Sequence, residues 1–297
     1  MADWKLKAKQ KTLALVKSLF GVKAKEKIVY FNHTGQWPNL KDPKTWGEKL
    51  LWLNHHWKPS LKTLCADKYC VRDYVRKKGL ENILIPLLGV WDKAKDIDFE
   101  ELPDKFVLKC NHGCAMNILV TDKAKLNEKE AVHQLKKWLK MDLGKISGEY
   151  HYSEIRRRII AEAFLPVEKE TDVVDFKLHC FNGQPRFITV CFNRDTQDHN
   201  AERIVYSVDW ERMMILPEDK PESSYPKPDS LTEMVDIAKR LSEDFPYVRV
   251  DLYAIQDKIF FGELTFTPNG NIPERAYTKE ACKEIGSMLD LSGFKCK

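Results

Sequence analysis

The chain has 297 residues, 43% of them hydrophobic and 31% charged, enough to bury a full core and to divide into two or three lobes. A net charge of +5, spread along the sequence, argues against a dedicated nucleic-acid binder. Its 8 cysteines are scattered without the density of a disulfide scaffold, so reduced thiols in the cytoplasm fit best. No stretch approaches the roughly 18 apolar residues that span a bilayer, and the N-terminus lacks a signal-peptide core.

In chain order, the first element is the lysine-rich run from Trp4 to Phe20, whose helical pattern puts Leu13, Val16, Leu19 and Phe20 along one side. Two readings stand: a helix lying on an anionic membrane surface, or one packed on the body with its lysines in water. Residues 28 to about 105 read mainly helical. Thr45 caps a helix with Glu48 three residues on, and Asp67-Lys-Tyr-Cys-Val-Arg-Asp-Tyr-Val-Arg-Lys-Lys78 is amphipathic and stopped by Gly79.

The texture then changes to strands. Phe106-Val-Leu-Lys-Cys110 and Asn117-Ile-Leu-Val-Thr121 flank a short loop, a helix follows near 128–141, and a third strand covers Arg158–Leu165. Val174–Phe181 and Pro185–Phe192, joined at Asn182-Gly183, give a strong hairpin signal. A helix over 229–245 precedes the run Tyr247–Pro268, two apolar strands around a polar turn. Strands interrupted by single helices indicate α+β lobes, not a doubly wound sheet.

Chemistry concentrates at two places. Alternation in the last hairpin puts Val248, Val250 and Leu252 on one face and Arg249, Asp251 and Tyr253 on the other, with Phe261, Glu263 and Thr265 sharing a face of the second strand. Facing carboxylates repel, so Asp251 and Glu263 make most sense around Mg²⁺; the alternative is that one points to solvent and the other pairs with Arg249. Lys109 sits in an otherwise apolar strand, where an ammonium needs an anion, and the following loop 111–117 has backbone N–H groups that can cup phosphate oxygens. This is not a Walker loop, and Lys109 could equally snorkel to the surface. Cys110-Asn-His-Gly-Cys114 lacks the spacing of a zinc pair.

Taken in order, Asp67–Val75, Leu102–Gly113, Ile159–Glu162, Asp175–Gly183, Val248–Asp251 and Gly262–Pro268 resemble the ATP-grasp superfamily, and more closely its TupA-like branch found in bacterial surface-polysaccharide clusters. The resemblance covers most of the chain after about residue 28. It implies an α+β ATP-grasp fold whose two lobes hold the nucleotide: a basic helix at 1–27, a helical region at 28–105, a lid subdomain at 106–160 and a C-terminal subdomain at 161–297.

By the same resemblance, Lys109 contacts the α- and β-phosphates of ATP, Lys68 is the second nucleotide lysine that precedes the lid, the loop with His112 and Gly113 folds over the triphosphate, and Glu162, Ala163, Phe164 and Leu165 form the hinge under adenine. Glu168 is a ribose candidate. Lys177, Arg194 and Arg249 are candidates for the γ-phosphate, and Asp251 and Glu263 for Mg²⁺. The third metal ligand is Thr265, Asn269, Asn271 or water. The loop departs from the family by carrying Gly113-Cys-Ala-Met instead of a more flexible glycine-containing turn, which implies stiffer closure.

The implied reaction is ATP-dependent amide formation through an acyl phosphate, joining a uronic acid carboxyl of a glycan or its precursor to an amino acid or amine. A glycosyltransferase would need Asp-x-Asp on a metal-binding turn. Asp96-Ile-Asp98 has that spacing, but within a charged segment that reads as a solvated loop. A scaffold with a degenerate nucleotide site is disfavoured by the presence of Lys109, Arg249, Asp251 and Glu263 together.

Overall fold

A computed structural model describes residues 19–165, 173–193, 201–255 and 258–294. The chain divides into two units, one made of Met1–Lys58 with Thr267–Lys297 and the other of Pro59–Phe266. The division differs from the sequence expectation, since residues 267–297 join the N-terminal segment and not the strands that precede them.

In the first unit, helix α1 covers described residues 19–34 and α2 spans Trp46–His56. Thr45 and Glu48 form the capping box read from their spacing: each side chain accepts from the other's backbone N–H. Tyr30, Leu51 and Ile272 are the buried centre of a small core. Helix α8 (Lys279–Met288) comes so close to the start of α2 that a Cβ on Gly286 would lie 2.2 Å from the Lys44 carbonyl oxygen. Most of the Trp4–Phe20 run lies outside the described residues.

The second unit begins with α3 (Ser60–Ala66) and α4 (Val71–Lys77). Gly79, with φ +69, ends α4 where the sequence places the stop. Strands β1 (Leu87–Trp91), β2 (Phe106–Cys110), β3 (Asn117–Val120) and β4 (Ile159–Ala163) form an antiparallel sheet in the order β1-β4-β2-β3. β1 falls inside the segment expected to be mainly helical. α5 (Glu128–Leu139) covers this sheet, with Leu135 packed among Phe106, Leu108, Cys110, Ile159 and Ala161. Each Leu, Ile or Phe side chain among these removed from water contributes about 1.5–3 kcal/mol. The short helix α6 (Leu143–Ser147) follows.

A second antiparallel sheet has the order β10-β9-β5-β6-β7-β8. Its strands are β5 (Asp175–Phe181), β6 (Gln184–Phe192), β7 (Glu202–Ser207), β8 (Arg212–Met213), β9 (Tyr247–Ile255) and β10 (Lys258–Thr265). Asn182 and Gly183 both have positive φ, the left-handed pair that a two-residue hairpin turn needs. α7 (Leu231–Ser242) packs on β5, β6 and β9 through a face that includes Met234, Ile237 and Leu241.

One register expectation is corrected. Phe261 pairs with Leu252, whereas Glu263 pairs with Asp251, so Gly262 is an extra residue in the β9–β10 ladder. This bulge shifts the alternation, and Phe261 joins the buried side with Leu252 and Leu264, leaving Glu263 and Thr265 together on the other.

Candidate functional site

Lys68 is presented by a turn that Asp67 caps locally and Asn111 braces from the 111–117 loop. The buried Asp67 carboxylate accepts from Tyr69 N at 2.8 Å and from Asn111 Nδ2 at 2.8 Å, and Lys68 N donates to the Asn111 carbonyl. Asn111 also accepts from Arg158 N and donates to the Arg156 carbonyl, so its polar groups are spent on holding the loop. His112 is fully buried, with Nε2 3.2 Å from the Trp138 carbonyl oxygen, and burial pushes its pKa below the usual histidine value. Gly113 leaves room for Leu143, whose Cδ1 would be 2.0 Å from an added Cβ. These two expected phosphate contacts therefore sit under the loop, and Cys114, Ala115, Met116 and Asn117 line the cavity in their place. Ala115 adopts φ +54, a left-handed conformation that costs a non-glycine residue about 1–2 kcal/mol.

The cavity, about 250 Å³, is lined by Lys68, Arg72, Lys109, Glu162, Asp175, Lys177, Asp251 and Glu263 beside the loop residues. Next to it is a second, apolar cavity of about 150 Å³ whose walls are largely Ile85, Val107, Leu119, Phe164, Leu165 and Val173. Lys109, Asn117 and Tyr253 line both. The two together run from an apolar slot to a charged chamber.

Every cation of the chamber meets an acid. Lys109 Nζ lies 2.6 Å from Glu162 Oε2, and Arg72 Nη1 3.2 Å from Glu162 Oε1. Lys68 Nζ lies 2.5 Å from Glu263 Oε2. Lys177 reaches Asp251 at 2.9 Å and Asp175 at 3.2 Å, and Arg249, which is not among the residues lining the chamber, grips Asp251 through Nε and Nη2, both at 2.6 Å. Burial alone would raise the Glu263 carboxyl, but Lys68 and Arg249 overcome it and hold it well below the usual carboxylate range. Burial likewise opposes charge on Lys177 and Arg249, and Asp251 more than restores it in both. The expectation that Lys109 meets an anion holds without a ligand. Glu263 pairs in register with Asp251. Arg249 pairs with Asp251, as the second sequence alternative has it, but Glu263 is not left to solvent: Lys68 holds it.

Thr265 Oγ1 donates to Glu263 Oε1 at 3.1 Å and accepts from Arg249 Nη2 at 3.1 Å, which fixes the carboxylate's orientation. Ala163, Phe164 and Leu165 line the apolar cavity. Arg194 and Glu168 lie outside the described residues. Asn269 and Asn271 belong to the first unit, in a segment Pro268–Asn271 where both have left-handed φ. Asp96 and Asp98 are exposed, and Asp98 caps its own turn by accepting from Glu100 N, so the Asp-x-Asp spacing carries no site.

Arg72, Asp175 and Tyr253 are among the lining residues that had no role in the sequence reading. Asp175 pairs in register with Tyr253, two residues along β5 from the Lys177–Asp251 pair and two residues after Val173 of the apolar slot. Its position in the wall of the charged chamber, paired with Tyr253 that lines both cavities, was hidden in sequence, where an acid at a strand start looks like a turn residue.

The donor set suits Mg²⁺ that arrives with phosphates. Asp251 and Glu263 would offer hard oxygen ligands from adjacent strands, and Mg²⁺ is typically bound by one or two carboxylates plus substrate oxygens. Among the described residues no group of three or more His, Cys, Asp or Glu could hold a metal by itself.

Similar solved structures include D-alanine–D-alanine ligase from Bacillus anthracis complexed with ATP, at 15% identity, covering 68% of this chain and 54% of that one, with TM-score 0.40. D-alanine–D-alanine ligase from Helicobacter pylori is 14% identical over 82% of this chain and 69% of that one, with TM-score 0.45. L-amino acid ligase from Bacillus licheniformis is 14% identical over 90% of this chain and 56% of that one, with TM-score 0.44. The chain thus spans about half the length of the first of these ligases. No curated protein matches the sequence. The model of the family described as TupA-like ATP-grasp matches residues 48–289, and with most of its length inside that match the chain belongs to the TupA-like ATP-grasp family.

Proposed function

We propose that the protein is an ATP-dependent carboxylate–amine ligase acting through an acyl phosphate. The observation that carries this reading is the passage from an apolar slot to a chamber holding Lys68, Lys109, Lys177 and the facing carboxylates Asp251 and Glu263. A nucleoside triphosphate has the same polarity sequence from base to γ-phosphate. Adenine takes the slot against Ala163–Leu165, Asp175 accepts from the ribose hydroxyls, and Lys68 and Lys109 hold the α- and β-phosphates. Lys177 and Arg249 flank the γ-phosphate.

Asp251 and Glu263 would hold Mg²⁺, with Thr265 orienting Glu263. The ion, when bound, supplies charge neutralisation on the phosphate oxygens. A substrate carboxylate oxygen attacks the γ-phosphorus, the bond to the β-phosphate oxygen breaks, and ADP leaves. An amine then attacks the acyl carbon, phosphate departs and an amide remains. Lys177 and Arg249 stabilise charge on the transferring group, and the enclosed chamber keeps water from the acyl phosphate.

The acceptor we favour is a uronic acid carboxyl of a bacterial surface polysaccharide or its precursor, with an amino acid or amine as partner. Its support is the polysaccharide setting of the TupA-like branch that the sequence motifs resemble. The enzyme would act in the cytoplasm, at the inner face of the membrane. Leu19, Phe20, Phe31 and Trp37 are exposed in one short segment beside a lysine-rich N-terminus, and no helix among the described residues is long and apolar enough to cross a bilayer.

Hydroxylamine tests the chemistry. With Mg²⁺, ATP and a panel of uronic acid glycans, hydroxamate should form in step with ADP, and Arg249→Ala should abolish it while remaining folded. Release of UDP from a sugar donor without ADP or hydroxamate would replace this reading with glycosyl transfer.

A further inference from the structure

Three carboxylates and three cations form one cluster on the second sheet and its neighbouring turn: Asp175, Asp251 and Glu263 with Lys68, Lys177 and Arg249. Its formal charge is zero before any ligand enters. Two Glu263 oxygens are both engaged: Oε1 by Thr265 at 3.1 Å, with Arg249 at 3.8 Å, and Oε2 by Lys68 at 2.5 Å. Lys68 comes from the turn after α3, not from the sheet, and that turn is fixed by Asp67 and Asn111. The ammonium thus stands on the oxygen that a metal would need.

The geometry points to Lys68 as a residue that bars a divalent cation from Glu263 until a nucleotide arrives. This rests on the nucleotide reading of the site. A dication entering alone has to displace the ammonium and leaves the cluster with two excess positive charges in a partly buried chamber. Entering with a triphosphate, it brings compensating negative charge, and Lys68 exchanges its carboxylate for phosphate oxygens with no change in its count of anionic partners. Metal and nucleotide therefore enter together, and the same side chain that holds phosphate in the complex guards the metal carboxylate before it.

Mn²⁺ alone is the probe, followed by the loss of its free-ion paramagnetic resonance signal on titration into the protein without nucleotide. Wild type should bind it weakly, and Lys68→Met should bind it at least tenfold more tightly, because Glu263 Oε2 is then open. Adding Glu263→Gln to Lys68→Met should return binding to the wild-type level, which separates this site from adventitious surface acids. In wild type, a non-hydrolysable ATP analogue should bring on tight Mn²⁺ binding, measured as loss of signal beyond that caused by the same analogue without protein. Equal Mn²⁺ affinity in nucleotide-free wild type and Lys68→Met, with circular dichroism showing both folded, overturns the proposal. If wild type takes up Mn²⁺ but also fails to bind the ATP analogue, it is the nucleotide reading that falls.

Discussion

Lys109→Met keeps most of the side-chain stem and deletes one charge, so its two consequences can be separated. In the ligand-free chain the ammonium lies 2.6 Å from Glu162 Oε2, and Arg72 holds the other oxygen at 3.2 Å. Orphaning a buried charge costs about 3–5 kcal/mol. Here Arg72 remains, and the lysine side chain is 22% exposed, so the expected loss is nearer to one charged hydrogen bond at a half-open site, about 1–2 kcal/mol. ATP binding should suffer more. A charge-assisted bond to phosphate is worth about 1.5–3 kcal/mol, or about 10- to 150-fold in Kd. Urea unfolding of the apo protein and calorimetric titration with Mg·ATP measure the two numbers on one preparation. Unchanged ATP affinity in a folded Lys109→Met protein would refute the assignment of Lys109 to phosphate, and would leave it as a partner of Glu162 only.

Gly286→Ala should cost more stability than Gly113→Ala in thermal melts. The first Cβ meets the Lys44 carbonyl at 2.2 Å, which is backbone, and overpacking of that kind costs about 1–3 kcal/mol or more; the second meets only the tip of Leu143. Asp142, bonded by Ser153 and Lys145 N, has its pKa lowered from 3.8 to about 2. A depressed carboxyl contributes stability above its unfolded value and loses it as pH falls through the folded one, so Asp142→Asn should flatten the acid limb of the stability curve between about pH 4 and 2. Asp175→Asn should reduce discrimination between ATP and 2′-deoxyATP in calorimetry; unchanged discrimination would remove it from the ribose.

How far the sequence reaches depends on whether an interaction is local. The β5–β6 hairpin follows from Asn182-Gly183, and the α2 start from Thr45 and Glu48, since each is decided within a few residues. Alternation along β9 places Asp251 with Arg249, but the same rule fails on β10 because Gly262 adds one residue to the ladder, and period-2 reasoning assumes none. His112 reads as a loop residue free to meet phosphate. Its burial beneath the loop comes with a contact to the Trp138 carbonyl, far along the chain. β1 is short, contains Gly89 and follows Pro86, so only its pairing with β4 identifies it. The joining of residues 267–297 to the N-terminal helices is likewise non-local, made by contacts such as that between Gly286 and Lys44.

Calorimetric titration of the wild-type protein with ATP and with UDP-sugars, each in the presence of Mg²⁺, tests the central claim most directly. The account predicts saturable binding of ATP that Lys109→Met weakens, and none of a UDP-sugar. Binding of a UDP-sugar with no response to ATP would contradict it.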